Sequence, residues 1–253
     1  MAQPDSTPSD FRQVCLLMRQ KVEALLLRDP ADAKCPALAG VQAQTRTSLA
    51  IIDDALNRYA FDELSLSYNG GKDCLVLLVL LLASLHKRYA SSASFPSSLN
   101  SIYIECAHPF AEVDAFVART AAQYHLDLTR CNKPMKPALA EYLAAEPHLR
   151  AIFVGTRRTD PHGARLSFFD ETDGDWPRFM RVHPVIDWHY TEIWGFIREC
   201  GVEYCSLYDL GYTSLGGTND TYPNPTLKKE DGSGFKPAYE LTEDLEERLG
   251  RPC

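Results

Sequence analysis

Residues 64–85 read LSLSYNGGKDCLVLLVLLLASL. Leu64 to Ser67 alternate apolar and polar residues as a strand does, and Asn69, Gly70 and Gly71 interrupt the pattern. The next run, Cys74 to Leu85, carries no charge and is flanked by Lys72-Asp73 and His86-Lys87-Arg88. It is too short to cross a bilayer and suits a helix buried in a protein core. Glycines permit φ > 0 and close backbone approach, so successive N–H groups in this turn can converge on one anion. A helix starting near Asp73 adds its positive end there, and Lys72 adds a mobile charge. The spacing is neither G-x-x-x-x-G-K-[ST] nor G-x-G-x-x-G. Two readings therefore stand for this segment alone: a phosphate-binding turn, or a Gly-Gly turn with Asp73 capping a core helix.

The flanking sequence repeats the strand-then-helix rhythm. Strand patterns fall at 63–68, 101–106, 126–131 and 151–155, with a weaker one at 182–186; helical patterns lie between them at 73–89, 112–124 and 137–145. Strand alternating with helix implies right-handed crossovers, so the expected fold is α/β: a mostly parallel twisted sheet with helices on both faces. Two helices precede it. One runs to about Arg28 with Val14, Leu17, Met18, Val22 and Leu25 at helical spacing and Ser9 or Asp10 as its cap. The other spans 45–60 with Leu49, Ile52, Ala55, Leu56 and Tyr59. Residues 1–10 read as a disordered leader, and 11–60 as a helical N-terminal extension. Residues 156–253 form a loop-rich part packed on the same single domain, with helices expected at 191–200 and 238–249. Ligands of open parallel sheets sit at the carboxyl ends of the strands, here Ser67-Tyr68, Glu105-Cys106, Cys131 and Gly155-Thr156.

Composition narrows the function classes. A net charge of −8 over 253 residues argues against a nucleic-acid footprint. The eight cysteines include no C-x-x-C pair, which argues against a cysteine zinc site and for a reduced, cytoplasmic setting. The opening MAQPDSTPSD carries neither an apolar run nor a basic leader, so no secretory signal is expected.

SYNGGKDC (67–74) resembles the S-x-G-G-x-D-S loop of the PP-loop ATP pyrophosphatases, with Cys74 at the usual serine. Asn before the glycines and Lys after them resemble the fungal-type FAD synthetases, the FMN adenylyltransferases of the PAPS-reductase-like branch. Further motifs extend the resemblance over about residues 60–251. VGTRRTDP (154–161) puts two arginines and an aspartate just past a strand; by itself it is equally a surface pair and a turn. TDGDWPRFMR (172–181) is similar to the flavin segment of that family, and HPVIDWHYTEIW (183–194) to its strand-to-helix segment. ERLGR (247–251) is similar to a C-terminal tail that supplies two arginines; by itself it is equally a basic helix end. The loop GYTSLGGTNDTYPNP (211–225) also resembles the branch and would wall the nucleotide site. A reductase's E-C-G-[LI]-H motif is absent.

The resemblance implies transfer of AMP from ATP to the FMN phosphate, giving FAD and pyrophosphate, with Mg²⁺ held mainly by substrate phosphates and water. Ser67, Tyr68, Asn69, Gly70, Gly71, Lys72 and Asp73 would cradle pyrophosphate. Glu105, Gly155, Arg157, Arg158 and Asp160 would line the nucleotide side, and Asp173, Trp176, Met180 and Arg181 would hold the flavin. Asn69, Asp73, Asp160, Arg248 and Arg251 would serve catalysis. ATP and FMN are the implied partners, with no nucleic acid, membrane or obligate protein. Trp188, Trp194, His183 and His189 read as packing residues. The alternatives are another adenylating PP-loop enzyme, acting in sulfur transfer or tRNA modification, or a nucleotide-binding module without catalysis.

Overall fold

The computed structural model describes residues 10–32 and 35–251. The expected leader falls outside them except for Asp10, which caps helix α1 (Phe11–Leu27) by accepting from Gln13 N at 2.8 Å. Helix α2 (Leu38–Arg58) starts seven residues before the expected 45. Strand β1 (Leu64–Ser67) leads through the glycine turn into α3 (Lys72–Tyr89). Then follow β2 (Leu99–Ile104), α4 (Ala111–Gln123), β3 (Leu126–Cys131), α5 (Met135–Ala145) and β4 (Ala151–Phe153). The chain closes with β5 (Phe169–Glu171), β6 (Met180–Val182) and α6 (Tyr190–Glu199), followed by short 3-10 turns.

The sheet runs β3-β2-β1-β4-β6-β5, parallel throughout except the β5–β6 pair. Strand order reverses between β1 and β4, and such a switch point leaves a crevice at the carboxyl ends of the strands. Helices α1, α2, α3, α4 and α6 join one large core, while α5 covers the other face through Leu139 and Tyr142 against Ile102, Ile152 and Phe179. Burial on both faces explains why β1 does not present a wet side. Its polar Ser65 is buried and satisfied by the Tyr142 hydroxyl at 2.8 Å. Leu75 to Leu82 of α3 are all buried, so the helix behind the glycine turn is a fixed post. Gly70 needs its glycine: its φ is +71°, and an added Cβ would lie 2.8 Å from Val117 of α4.

Three expectations need correction. No helix spans 238–249; 3-10 turns at Ala238–Glu240 and Asp244–Glu246 stand in its place. Leu241, Leu245 and Leu249 would share a helical face, but Leu245 is 91% exposed while Glu247 is buried among cations. Ion pairing thus overrides the helical pattern there. Leu17 is 47% exposed. The strand expected at 182–186 sits earlier, at Met180–Val182, paired antiparallel with a three-residue edge strand, β5, too short to show a period.

Trp188 and Trp194 are core residues, Trp188 donating to Ser48 Oγ at 2.9 Å. The seven described cysteines are free, and burial pushes the Cys15, Cys74 and Cys200 thiols up to about 12. Among the described residues no helix is long and apolar enough to cross a membrane. His183 is buried, and burial, helped by nearby Arg181, lowers it from 6.5 to about 4. Below pH 6.5 the unfolded chain therefore binds a proton that the folded chain refuses. Stability attributable to this site is complete above that pH and falls as pH drops toward 4, by roughly 3 kcal/mol in all. Urea unfolding of His183→Gln against wild type is expected to show a shallower acid limb in the variant.

Candidate active site

A cavity of about 420 Å³ opens at the switch point. Its floor is the turn after β1: Ser67, Asn69, Gly71, Lys72 and Asp73. Asn69 Oδ1 accepts from Gly71 N at 2.9 Å, an Asx turn that leaves the amide's Nδ2 group as a free donor. The turn is fixed from below, because Lys72 N donates to the buried Tyr208 hydroxyl at 2.9 Å. One wall is the segment after β4, with Gly155, Thr156, Asp160 and Pro161. Gly155 permits close approach to α3: a Cβ there would lie 2.9 Å from Cys74 Sγ. Asp160 accepts from Arg157 N at 2.8 Å, closing the turn, and burial together with Asp73 raises its carboxyl above the usual range. Tyr103, Ile104, Val113 and Met135 give an apolar wall, and Ser214, Leu215 and Gly216 form the wall expected from loop 211–225.

Part of this lining belongs to a closed ring of charges, in which Lys72, Asp73 and Glu247 reach the cavity and Arg157 lies behind them. Lys72 Nζ meets Asp73 Oδ2 at 3.0 Å and also Glu247; Arg157 Nε meets Asp73 Oδ1 at 2.7 Å, and its Nη2 meets Glu247. Each carboxylate therefore bridges both cations. Lys72 is 2% exposed and Arg157 0%. Burial alone would discharge these groups, but the pairings win: Lys72 and Arg157 are raised, and Asp73 is held below the usual carboxylate range.

The ring corrects two expectations. Lys72 is not a mobile charge, and Arg157 is an internal cation with no place in the cavity lining. Arg158 points the other way, exposed, pairing with Asp187 and donating to Leu166 O at 2.9 Å. The sequence shows two equal arginines; their environments separate them completely. Tyr68 keeps its backbone in the loop while its ring is core, its hydroxyl bonded to Thr120 Oγ1 at 2.8 Å. Glu105 lies outside the lining, pairing with Arg130 at 2.5 Å.

The expected flavin residues lie beside the cavity and not in it. Trp176 lines a shallower depression with Lys136, Pro137 and Ala140 of α5. It adjoins the main cavity, because Met135 lines one and Lys136 the other. Arg181 donates to Glu171 O at 3.0 Å and pairs with Asp173 at 3.3 Å, while Met180 is half-buried on β6. Arg248 lines the cavity; Arg251, expected beside it, does not, but lies against the lining residue Gly216 and donates to Asp220 O at 3.0 Å. The Arg251 guanidinium lies flat against Gly216, where any Cβ would collide with it. Gly216→Ala is therefore expected to evict Arg251 from this place, which loss of its hydrogen bond to Asp220 O in a crystal structure of the variant would show.

The phosphoadenosine phosphosulfate reductase domain family matches residues 63–146 and 129–223. The chain is 43% identical over 221 residues to a probable FAD synthase of Schizosaccharomyces pombe, covering 87% of this chain and 83% of that one. It is 34% identical to the flavin adenine dinucleotide synthase of Saccharomyces cerevisiae, covering 79% and 72%. The chain belongs to the FAD synthases. Its fold superimposes on Candida glabrata FMN adenylyltransferase in complex with FAD and inorganic pyrophosphate, with a TM-score of 0.90, 27% identity, and 98% and 99% of the two chains covered.

Within this FAD synthase, sequence reasoning missed Glu247, Tyr208 and Tyr103. Only a paired-charge search could have hinted at Glu247, since a glutamate in EDLEER looks like surface. Asp244 was missed too: it accepts from Tyr190 N at 2.6 Å and pairs with His189 at 2.5 Å, tying the tail to the start of α6.

Proposed function

We infer that this chain is the FMN adenylyltransferase its family implies: FMN + ATP gives FAD + pyrophosphate, the last step of FAD biosynthesis, in the cytoplasm. The observation that carries this reading is the cavity at the switch point, where the glycine turn faces Arg248. An FMN phosphate oxygen attacks the α-phosphorus in line, the bond to the β-phosphate oxygen breaks, and pyrophosphate leaves into the turn. A phosphate monoester is already anionic near neutral pH, so the chain needs to supply no strong base. Its work is positioning and charge neutralisation.

Roles follow from what each group can offer. Backbone N–H groups of the turn other than those of Gly71 and Lys72, which are already bonded, receive the β- and γ-phosphates together with the positive end of α3. Asn69 Nδ2 orients the attacked phosphate, and Arg248 and Arg251 offset charge developing between substrate and leaving group. Tyr103, Ile104 and Val113 suit a base, while the depression at Trp176, between Lys136 and Arg178, suits a flat ring with polar edges. Asp160 and Asp173 supply acceptors on the two sides.

Mg²⁺ enters with ATP. Among the described residues no group of three or more His, Cys, Asp or Glu side chains could hold a metal ion, and Asp73 and Glu247 are already engaged by cations. The residues thus do not form a resident magnesium cage. Mg²⁺ would be held mainly by substrate phosphates and water, and would supply charge neutralisation there.

Chromatography of a mixture of purified protein, FMN and MgATP tests the reading: FAD and pyrophosphate are expected in equal amounts, and no FAD above the blank would refute it. Asp73→Ala is expected to lower kcat at least about tenfold, with wild-type turnover removing Asp73 from the mechanism.

A further inference from the structure

We propose that Glu247 is a positioning residue of the transfer reaction: its carboxylate keys the tail into the glycine turn and so fixes Arg248 over the cavity. The proposal rests on the adenylyltransferase reading and goes beyond the two tail arginines.

Glu247 is 5% exposed, and its two oxygens meet different cations, Lys72 through Oε1 and Arg157 through Oε2. With Asp73 these close the ring described above. The ring joins three separate segments, and each of them lines the cavity: the turn through Asn69 and Gly71, the segment after β4 through Gly155 and Asp160, and the tail through Arg248 and an edge of Glu247 itself. Glu247 is the tail's own member of the ring. The tail around it has no regular helix to hold it, and Leu245 and Leu249 are exposed rather than anchored. What fixes it is polar. Thr213 Oγ1 donates to Glu247 O at 2.6 Å, Asn224 Nδ2 donates to Glu246 O at 2.7 Å, and Tyr222 N donates to Gly250 O at 2.9 Å. Arg248, adjacent to Glu247, can hold its place only while this register holds.

A buried ion pair by itself is weak evidence of function, since such pairs also serve stability or specificity alone. The distinguishing property is coupling. A merely structural Glu247 would change the amount of folded protein and leave turnover per site untouched. A positioning Glu247 acts through Arg248, so its loss cannot add fully to the loss of Arg248.

Glu247→Asp keeps the charge but withdraws it by one methylene, so it spans one cation less well. FAD formation at saturating MgATP is measured per FMN-binding site, the sites being counted by FMN fluorescence quenching. Glu247→Asp is expected to lower kcat at least about tenfold with the FMN KM within about threefold. The Glu247→Asp/Arg248→Ala double variant is expected within about threefold of Arg248→Ala alone. Wild-type kcat per site in Glu247→Asp, or a double variant whose loss is the product of the two single losses, would overturn the proposal. Should Glu247→Asp not fold, Thr213→Val leaves all four charges and removes only the hydroxyl that docks the tail. It is expected to lose at least about threefold in kcat, again without adding to Arg248→Ala, and wild-type turnover there would overturn the proposal equally. Wild-type protein in the same assay separates the two levels: no FAD from wild type sinks both readings, while normal FAD with unaffected variants sinks this one alone.

Discussion

Arg157→Ala is expected to lower the free energy of unfolding by about 3–5 kcal/mol, because it strands buried carboxylates. Asp73 and Glu247 would be left to share Lys72, in a place where an unpaired charge is expensive. The measurement is urea unfolding at neutral pH, with Arg158→Ala as the control. Arg158 is exposed and its pair with Asp187 is open to solvent, so its loss is expected within about 0–1 kcal/mol. Near-equal losses for the two neighbours would contradict the buried ring. The pH dependence has a definite sign. Asp73 is held below its ordinary 3.8 in the folded chain, so its stabilising contribution is present above that value and is lost as pH falls through the lower, folded pKa. Arg157→Ala removes one of the two cations responsible, so the acid unfolding midpoint is expected to rise.

Arg248→Ala is expected to lower kcat about 10²-fold while the thermal midpoint stays within about 2 °C of wild type. Arg248 lines the cavity and, unlike Lys72 and Arg157, takes no part in the ring of ion pairs. Its charge is therefore available to substrate phosphates. A cation that offsets charge mainly in the transition state lowers kcat and kcat/KM together when removed. A rise in the ATP KM with kcat intact would instead assign Arg248 to uniform substrate binding.

The frame of the fold was legible because it is written locally. LSLS, the glycine pair and the uncharged run after Asp73 each specify their own element, and four strand patterns separated by three helical ones specify the parallel sheet. The floor of the cavity was legible for the same reason, since Ser67, Asn69, Gly71 and Asp73 are contiguous. What escaped depends on contacts between distant segments. Arg157 and Arg158 are chemically identical in sequence, and only the positions of distant carboxylates, Asp73 and Glu247, the latter 90 residues later, let one be buried while the other stays in solvent. Tyr68 sits in the motif but faces Thr120 of α4. The expected final helix failed because Glu247 gains more from two buried cations than the segment would gain from burying Leu245. The segment proposed to hold the flavin was singled out by its motif alone. Its place beside α5, reached through Lys136, depends on the β5–β6 hairpin that no periodicity announced.

Label transfer tests the central claim most directly. Purified protein is incubated with FMN and MgATP carrying ³²P at either the α or the γ position, and the products are separated. Adenylyl transfer through the cavity requires label from α-³²P ATP to appear in FAD, and label from γ-³²P ATP to appear in pyrophosphate with none in FAD. Label from the γ position in a flavin product, or α label that leaves only as AMP, would contradict the reaction assigned to this chain.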